Sequence, residues 1–127
     1  MATTLATASR NAAADAITAL IDAGAAAGKV VFLTSGDAEV ATCPMSDPSF
    51  GAAVSGVATA NAITSDTSTN AGTIAKAEFR DSDDNVVYEA TCGLVGSGEP
   101  IELSSLTYAL GEKLDITSML LTVAASS

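Results

Sequence analysis

From Lys29 onward the chain is cut every few residues by glycine, proline, asparagine, aspartate or serine, and between the cuts lie short runs rich in valine, isoleucine, threonine and aromatic residues. That punctuation leaves little room for helices and favours short strands. "KVVFLT" (Lys29 to Thr34) ends at "SGD"; "EVATCPM" follows, with Pro44 pointing to a sheet edge or a strand end. "SDPSFG" reads as a loop in which Asp47-Pro48 starts a turn and Phe50 plugs one end of the core. "GVATANAIT" (Gly56 to Thr64) alternates Val57, Thr59, Asn61 and Ile63 with alanines, and "SDTSTNAG" after it reads as a polar, exposed loop.

"TIAKAEFRD" and "NVVYEATC" form the clearest pair. Ala75, Ala77 and Phe79 share one face of the first strand, and Lys76, Glu78 and Arg80 share the other, which is the alternation of a half-buried antiparallel strand. The second places Val86, Tyr88, Ala90 and Cys92 together, opposite Val87, Glu89 and Thr91. "GLVGSGEP" reads as a flexible connection to "IELSS" and to a last strand within "KLDITSMLLTVAA".

Before Gly28 the period is helical. "SRNAAADAITALIDA" (9–23) predicts one α-helix, capped by Ser9, with Ala13, Ala16, Ile17, Leu20 and Ile21 on its packing face, Asp15 and Asp22 largely elsewhere, and Gly24 at its C-terminal cap. The stripe suits packing on the protein's own sheet or on a partner; periodicity alone does not separate the two. Together these readings give a mainly β chain: an antiparallel β-sandwich or jelly-roll-like domain with one N-terminal α-helix, as a single domain over 1–127 with the helix at about 9–23 and β structure over 29–124.

At 127 residues the chain has length for one core, but that core is short of large side chains: much of the 48% hydrophobic content is alanine, and only Phe32, Phe50, Phe79, Tyr88 and Tyr108 are aromatic. Small side chains bury little apolar area each, and association with further copies or a larger partner would supply the rest. The formal net charge of −10 repels phosphate, so no nucleic-acid partner is expected. No apolar run long enough for a membrane span is present, and the N-terminus lacks the pattern of a secretory signal; no membrane partner is expected.

Several features invite a chemical reading. Asp81, Asp83 and Asn85 reproduce the first three ligand positions of a calcium loop, yet Val86 stands where the sharp turn needs glycine and Cys92 where the bidentate acid belongs, so a five-residue hairpin loop is the better reading. There is no histidine, which removes the commonest general base. Lys29, Lys76 and Lys113 are the lysines open to a Ser–Lys dyad; Lys76, beside Glu78 and Arg80, reads as a member of a solvated ion pair. Asp83 with Glu89, or Glu99 with Glu102, offers paired carboxylates, without the aromatic lining of a sugar cleft. "GLVGSG" (Gly93 to Gly98) lacks the remainder of a phosphate loop. Cys43 and Cys92 have no metal-ligand spacing; they could bridge if both face one core, but a reducing compartment would keep them apart, and two buried free thiols are expected. The expectation is therefore no enzyme, with no catalytic residue, cofactor or metal ligand.

"MSDPSFGAAVSGVATANAITSDTSTNAGTIAKAEFRDSDDNVVYEA" (Met45 to Ala90), preceded by "GKVVFLTSG", resembles a family of small virion-structural proteins of tailed bacteriophages, over nearly the whole chain. Where that pattern carries glycine at the hairpin tip this chain has Asp84, so its turn type departs. The resemblance implies a capsid decoration (cement) protein that binds the major capsid protein shell and stabilises it, on the outer capsid surface of a virion assembled in the host cytoplasm, as a homo-oligomer with a trimer favoured. A tail or neck component at the head-tail junction is the alternative, and a receptor- or glycan-binding module a third. The apolar ends "TTLATA" and "MLLTVAA" suit a subunit completed by its neighbours.

Overall fold

The computed structural model describes residues 4–123. Thr3 of "TTLATA", the expected end of the β region at Ala124, and Ala125 of "MLLTVAA" lie outside the described residues. Among the described residues helix α1 (Thr7–Ile21) precedes nine strands: β1 (Lys29–Leu33), β2 (Glu39–Pro44), β3 (Val57–Thr59), β4 (Gly72–Thr73), β5 (Lys76–Arg80), β6 (Val86–Leu94), β7 (Ile101–Leu103), β8 (Thr107–Tyr108) and β9 (Ile116–Thr122). The chain is mainly β with a single N-terminal helix. Seven strands form one sheet in the order β2-β1-β5-β6-β7-β9-β3, and β4 pairs with β8 in a second, two-stranded sheet.

Neighbours in the large sheet are antiparallel except β6 and β7, which run parallel with Cys92 opposite Ile101. Parallel neighbours need a return crossing, and here the segment from Val95 to Pro100 provides it because β7 is only three residues long, about 10 Å of rise. The "GLVGSG" stretch is thus a tight return rather than a loose connection. Gly96 and Gly98 take positive φ, and a Cβ on Gly93 would lie 2.3 Å from Ser97 Oγ, so the bare backbone at Gly93 lets the return lie against β6. The sheet also closes on itself. Met45, just past β2, bridges Ile63, beyond β3, and Thr64 N–H donates to the Pro44 carbonyl at 2.9 Å, tying the two edges together around one core.

That core is centred on Phe32 and Phe79, both fully buried, with Ile101, Leu103, Leu114, Val30 and Ile74. Phe79 stacks on Tyr88 with centroids 4.3 Å apart, and Phe50 meets Phe79 at 5.9 Å, so Phe50 does close one end of the core. The β5–β6 hairpin keeps Ala77 and Phe79 inside as expected, but Ala75, expected on the same face, lies before β5 and is exposed while Ile74 is buried. Its second strand differs: the register shifts between Phe79 and Arg80, which turns Val87 onto the core beside Tyr88 and leaves Val86 exposed. A bulge at that point, not readable from alternation, exchanges the two valines. "GVATANAIT" is regular only over Val57–Thr59 and continues as the bridges at Ala60 and Ile63.

The helix starts and faces differently from the expectation. It begins at Thr7 after Ala6, with no side-chain cap, so Ser9 lies within its first turn; Asp22, not Gly24, is its C-cap. Its buried residues are Ala14, Thr18 and Ile21, whereas Ala16 and Leu20 point to solvent. The reason is a polar stripe along its flank. Asn11 Oδ1 accepts from Gly56 N–H at 2.8 Å, Asp15 Oδ1 from Ala53 N–H at 2.8 Å, and the Asp22 carboxylate from Ser49 N–H at 3.0 and 3.2 Å. Residues 11, 15 and 22 fall on one flank at helical spacing, and they satisfy the amides of the 49–56 loop, which the helix therefore holds against the end of the sheet.

Candidate functional site

The hairpin tip joins β5 to β6 as a five-residue loop. Asp81 Oδ1 accepts from Asp83 N–H and Asn85 N–H, both at 2.9 Å, and Oδ2 accepts from the Asn85 amide at 3.1 Å. Those bonds hold the Asp81 carboxyl below the usual carboxylate range, the Asn85 side chain contributing most. Asp84 sits at φ 69°, where glycine is the commoner choice, and is paired with Lys29 at 2.6 Å; that ammonium lowers its pKa. The acids are engaged with their own loop, and among the described residues no group of three or more His, Cys, Asp or Glu side chains is placed to hold a metal ion.

The other residues open to chemistry are likewise engaged or dispersed. Lys76 pairs with Asp37 of the β1–β2 turn rather than with its strand neighbours, and that bond raises its pKa, the opposite of what a nucleophilic lysine needs. Glu78 pairs with Arg80 at 2.5 Å. Glu99 accepts from the Thr91 hydroxyl, while Glu102 accepts from Gly98 N–H at 3.0 Å, so this pair organises the β6–β7 return. Asp83 lies at the hairpin tip and Glu89 within β6. Both cysteines are free thiols: Cys43 is fully buried and Cys92 half-buried, and burial pushes them up to about 11 and about 12, so both are protonated at neutral pH and unreactive as nucleophiles.

Two of the clefts formed by the described residues bear on a chemical role. One, of about 280 Å³, runs between residues 59–65 and β9 and has no ionisable side chain in its lining. The other, of about 340 Å³, lies between β6 and β9 beside Pro100, and Glu89 and Tyr88 are its only ionisable groups. Burial raises the Tyr88 phenol well above its ordinary value. Neither cleft assembles a nucleophile, a base and a group to orient it.

An uncharged patch lies along the outer side of α1, and Leu94, Val95 and Leu110 are exposed apolar side chains away from it. Ala8, Ala12, Ala16, Ala19 and Leu20 recur at helical spacing, all exposed and none charged, and Leu20 is 56% accessible. In a chain of net charge −10 this is an uncharged stripe longer than three helical turns. Leu5 before the helix, Val54 in the loop that α1 holds, and Val86 at the start of β6 are further exposed apolar side chains. The C-terminal "MLLTVAA" is used mostly inside the molecule instead: Met119 is buried, and Leu121 and Val123 pack on the core.

Two anchoring residues were not legible as such. In "SDTSTNAG", Asp66 accepts from Thr42 N–H at 3.0 Å on the β2 edge, and Thr69, fully buried, donates to the Ala109 carbonyl at 2.8 Å and accepts from Glu112 N–H at 3.2 Å. What reads as an exposed polar loop is a brace between β2 and the 109–112 turn; the only hint in sequence is the local Asx pattern Asp66–Ser68. Comparison with protein-family models, with curated proteins and with solved structures found no match to this chain.

Proposed function

We propose that the chain is a bacteriophage capsid decoration (cement) protein, which binds the shell of the major capsid protein and stabilises it, acting as an oligomer with a trimer favoured. The observation that carries the reading is the uncharged outer stripe of α1, held by bonds from Asn11, Asp15 and Asp22 on the helix flank to the 49–56 loop. A rigid apolar helix face loses little conformational freedom on docking, which favours a structural contact over an adaptable one. The family resemblance of Met45 to Ala90 supplies the partner, and the ion pairs of Lys29 and Lys76, the burial of the two thiols and the bonding of Glu99 and Glu102 within the β6–β7 return favour a role without chemistry. The test is the copy number in purified virions relative to the major capsid protein. Near-equality, or one trimer per threefold position, is the expected result; a handful of copies per particle would move the chain to the tail or neck.

A further inference from the structure

The large sheet has a slot in it. At the level of Ile101, β6 and β9 lie on either side of β7, two strand spacings apart, about 9.6 Å. The chain enters β7 only at Pro100, whose carbonyl accepts from Leu120 N–H at 2.9 Å. Beyond that point β6 runs on through residues 86–91 and β9 through 121–122, and among the described residues no strand pairs between them: β6 there pairs with β5, and β9 with β3. The 340 Å³ cleft occupies this gap.

Three properties of the gap describe what would fill it. First, its rims are unpaired strand edges. Because Leu120 N–H faces β7 and backbone groups alternate along a strand, the N–H and C=O of Thr122 face the slot, as do those of alternate residues of β6. Secondly, its floor is apolar, made by Tyr88, Ala90 and Leu121. Thirdly, the outward rim carries Glu89, exposed, with no basic side chain within ion-pair distance among the described residues.

We propose that this slot takes an extended segment of another protein as an added strand in line with β7, its side chains alternating between apolar residues on the floor and a lysine or arginine beside Glu89. Both rims would pair with its backbone. A second copy of this chain fits poorly. Of its five basic residues Arg10 lies in α1; Lys29, Lys76 and Arg80 lie in paired strands; and Lys113 lies in a segment whose neighbours are bonded to Thr69 and Asp66. Only the identity of the partner, the shell protein, rests on the reading above.

The test uses amide hydrogen exchange on the full chain with a six-residue probe peptide alternating valine and lysine. Exchange slowed at residues 86–91 and 121–122 is expected. The same peptide N-methylated at alternate amides should not slow it, and Glu89→Lys should weaken binding of the lysine probe by about twofold to fivefold, the size of one cross-strand charge pair, while favouring a valine–glutamate probe. Protection elsewhere, indifference to N-methylation, or a dimer of the chain alone with these same amides protected would overturn the assignment. Exchange in the shell-bound chain separates the two proposals. Shell binding that leaves 86–91 and 121–122 unprotected removes the shell protein as the slot's partner and spares the decoration reading, whereas probe binding without shell binding spares the slot and sinks that reading.

Discussion

Replacing Asp22 by alanine tests whether the helix flank, rather than its apolar face, fixes α1 to the sheet. The carboxylate accepts from Ser49 N–H through both oxygens, at 3.0 and 3.2 Å, and Ser49 is fully buried. A hydrogen bond to a charged group contributes about 1.5–3 kcal/mol net, and a buried N–H left without an acceptor costs about 1–3 kcal/mol. These describe the same event from two sides and are not summed, so Asp22→Ala should cost about 2–3 kcal/mol. For a chain of this size that is a drop in Tm of about 6–15 °C. Asp22→Asn keeps a carbonyl oxygen for Ser49 and loses only the charge, so about 1 kcal/mol is expected. Urea unfolding at neutral pH followed by far-UV circular dichroism reads both. If Asp22→Ala fell within about 0.5 kcal/mol of the unmutated chain, the size of an ordinary surface substitution, the flank bonds would not be what seats the helix.

Three further outcomes follow from the packing and charges. Phe79→Ala, which removes the ring between Phe50 and Tyr88, should cost about 3–5 kcal/mol in the same assay. Gly28→Ala should cost about 1–3 kcal/mol, because a Cβ there would lie 2.4 Å from Ile21 Cγ2 and 2.6 Å from the Arg80 carbonyl, where backbone must shift. The Asp84 carboxyl is held low by Lys29, so its contribution is present above its unfolded value of 3.8 and is lost as pH falls through the lower folded value. The urea midpoints of the unmutated chain and Asp84→Asn should therefore differ near neutrality and converge well below pH 3.8; a gap that persists in acid would refute the pairing.

The hairpin was legible because Lys76, Glu78 and Arg80 alternate with small and aromatic residues, so the period of two is written in charge as well as in apolarity. The helix was legible as a helix but not in its orientation. With alanine at 8, 12, 13, 14, 16, 19 and 23, the apolar positions circle the axis, and what turns the helix is the bonding of Asn11, Asp15 and Asp22 to backbone amides some thirty to forty-five residues away. The same holds for Asp66 and Thr69, which read as loop residues until their partners on β2 and the 109–112 turn are known. The two-residue strands β4 and β8 carry too little pattern to be seen. The slot beside β7 was illegible for a different reason: it arises from a parallel pairing and a short strand, and neither leaves a periodic trace.

The outer stripe of α1 is the part of the molecule with the least to do in holding the fold and the most to do in the proposed role. Ala16→Glu places a carboxylate in the middle of that stripe on an exposed position of a strong helix former's site, where stability should change by no more than about 0.5 kcal/mol. Sedimentation with shells assembled without this chain is then the direct measurement. The unmutated chain is expected to pellet saturably with the shells while folded Ala16→Glu stays in the supernatant; a variant that pellets as well as the unmutated chain would contradict the claim that this helix face does the binding.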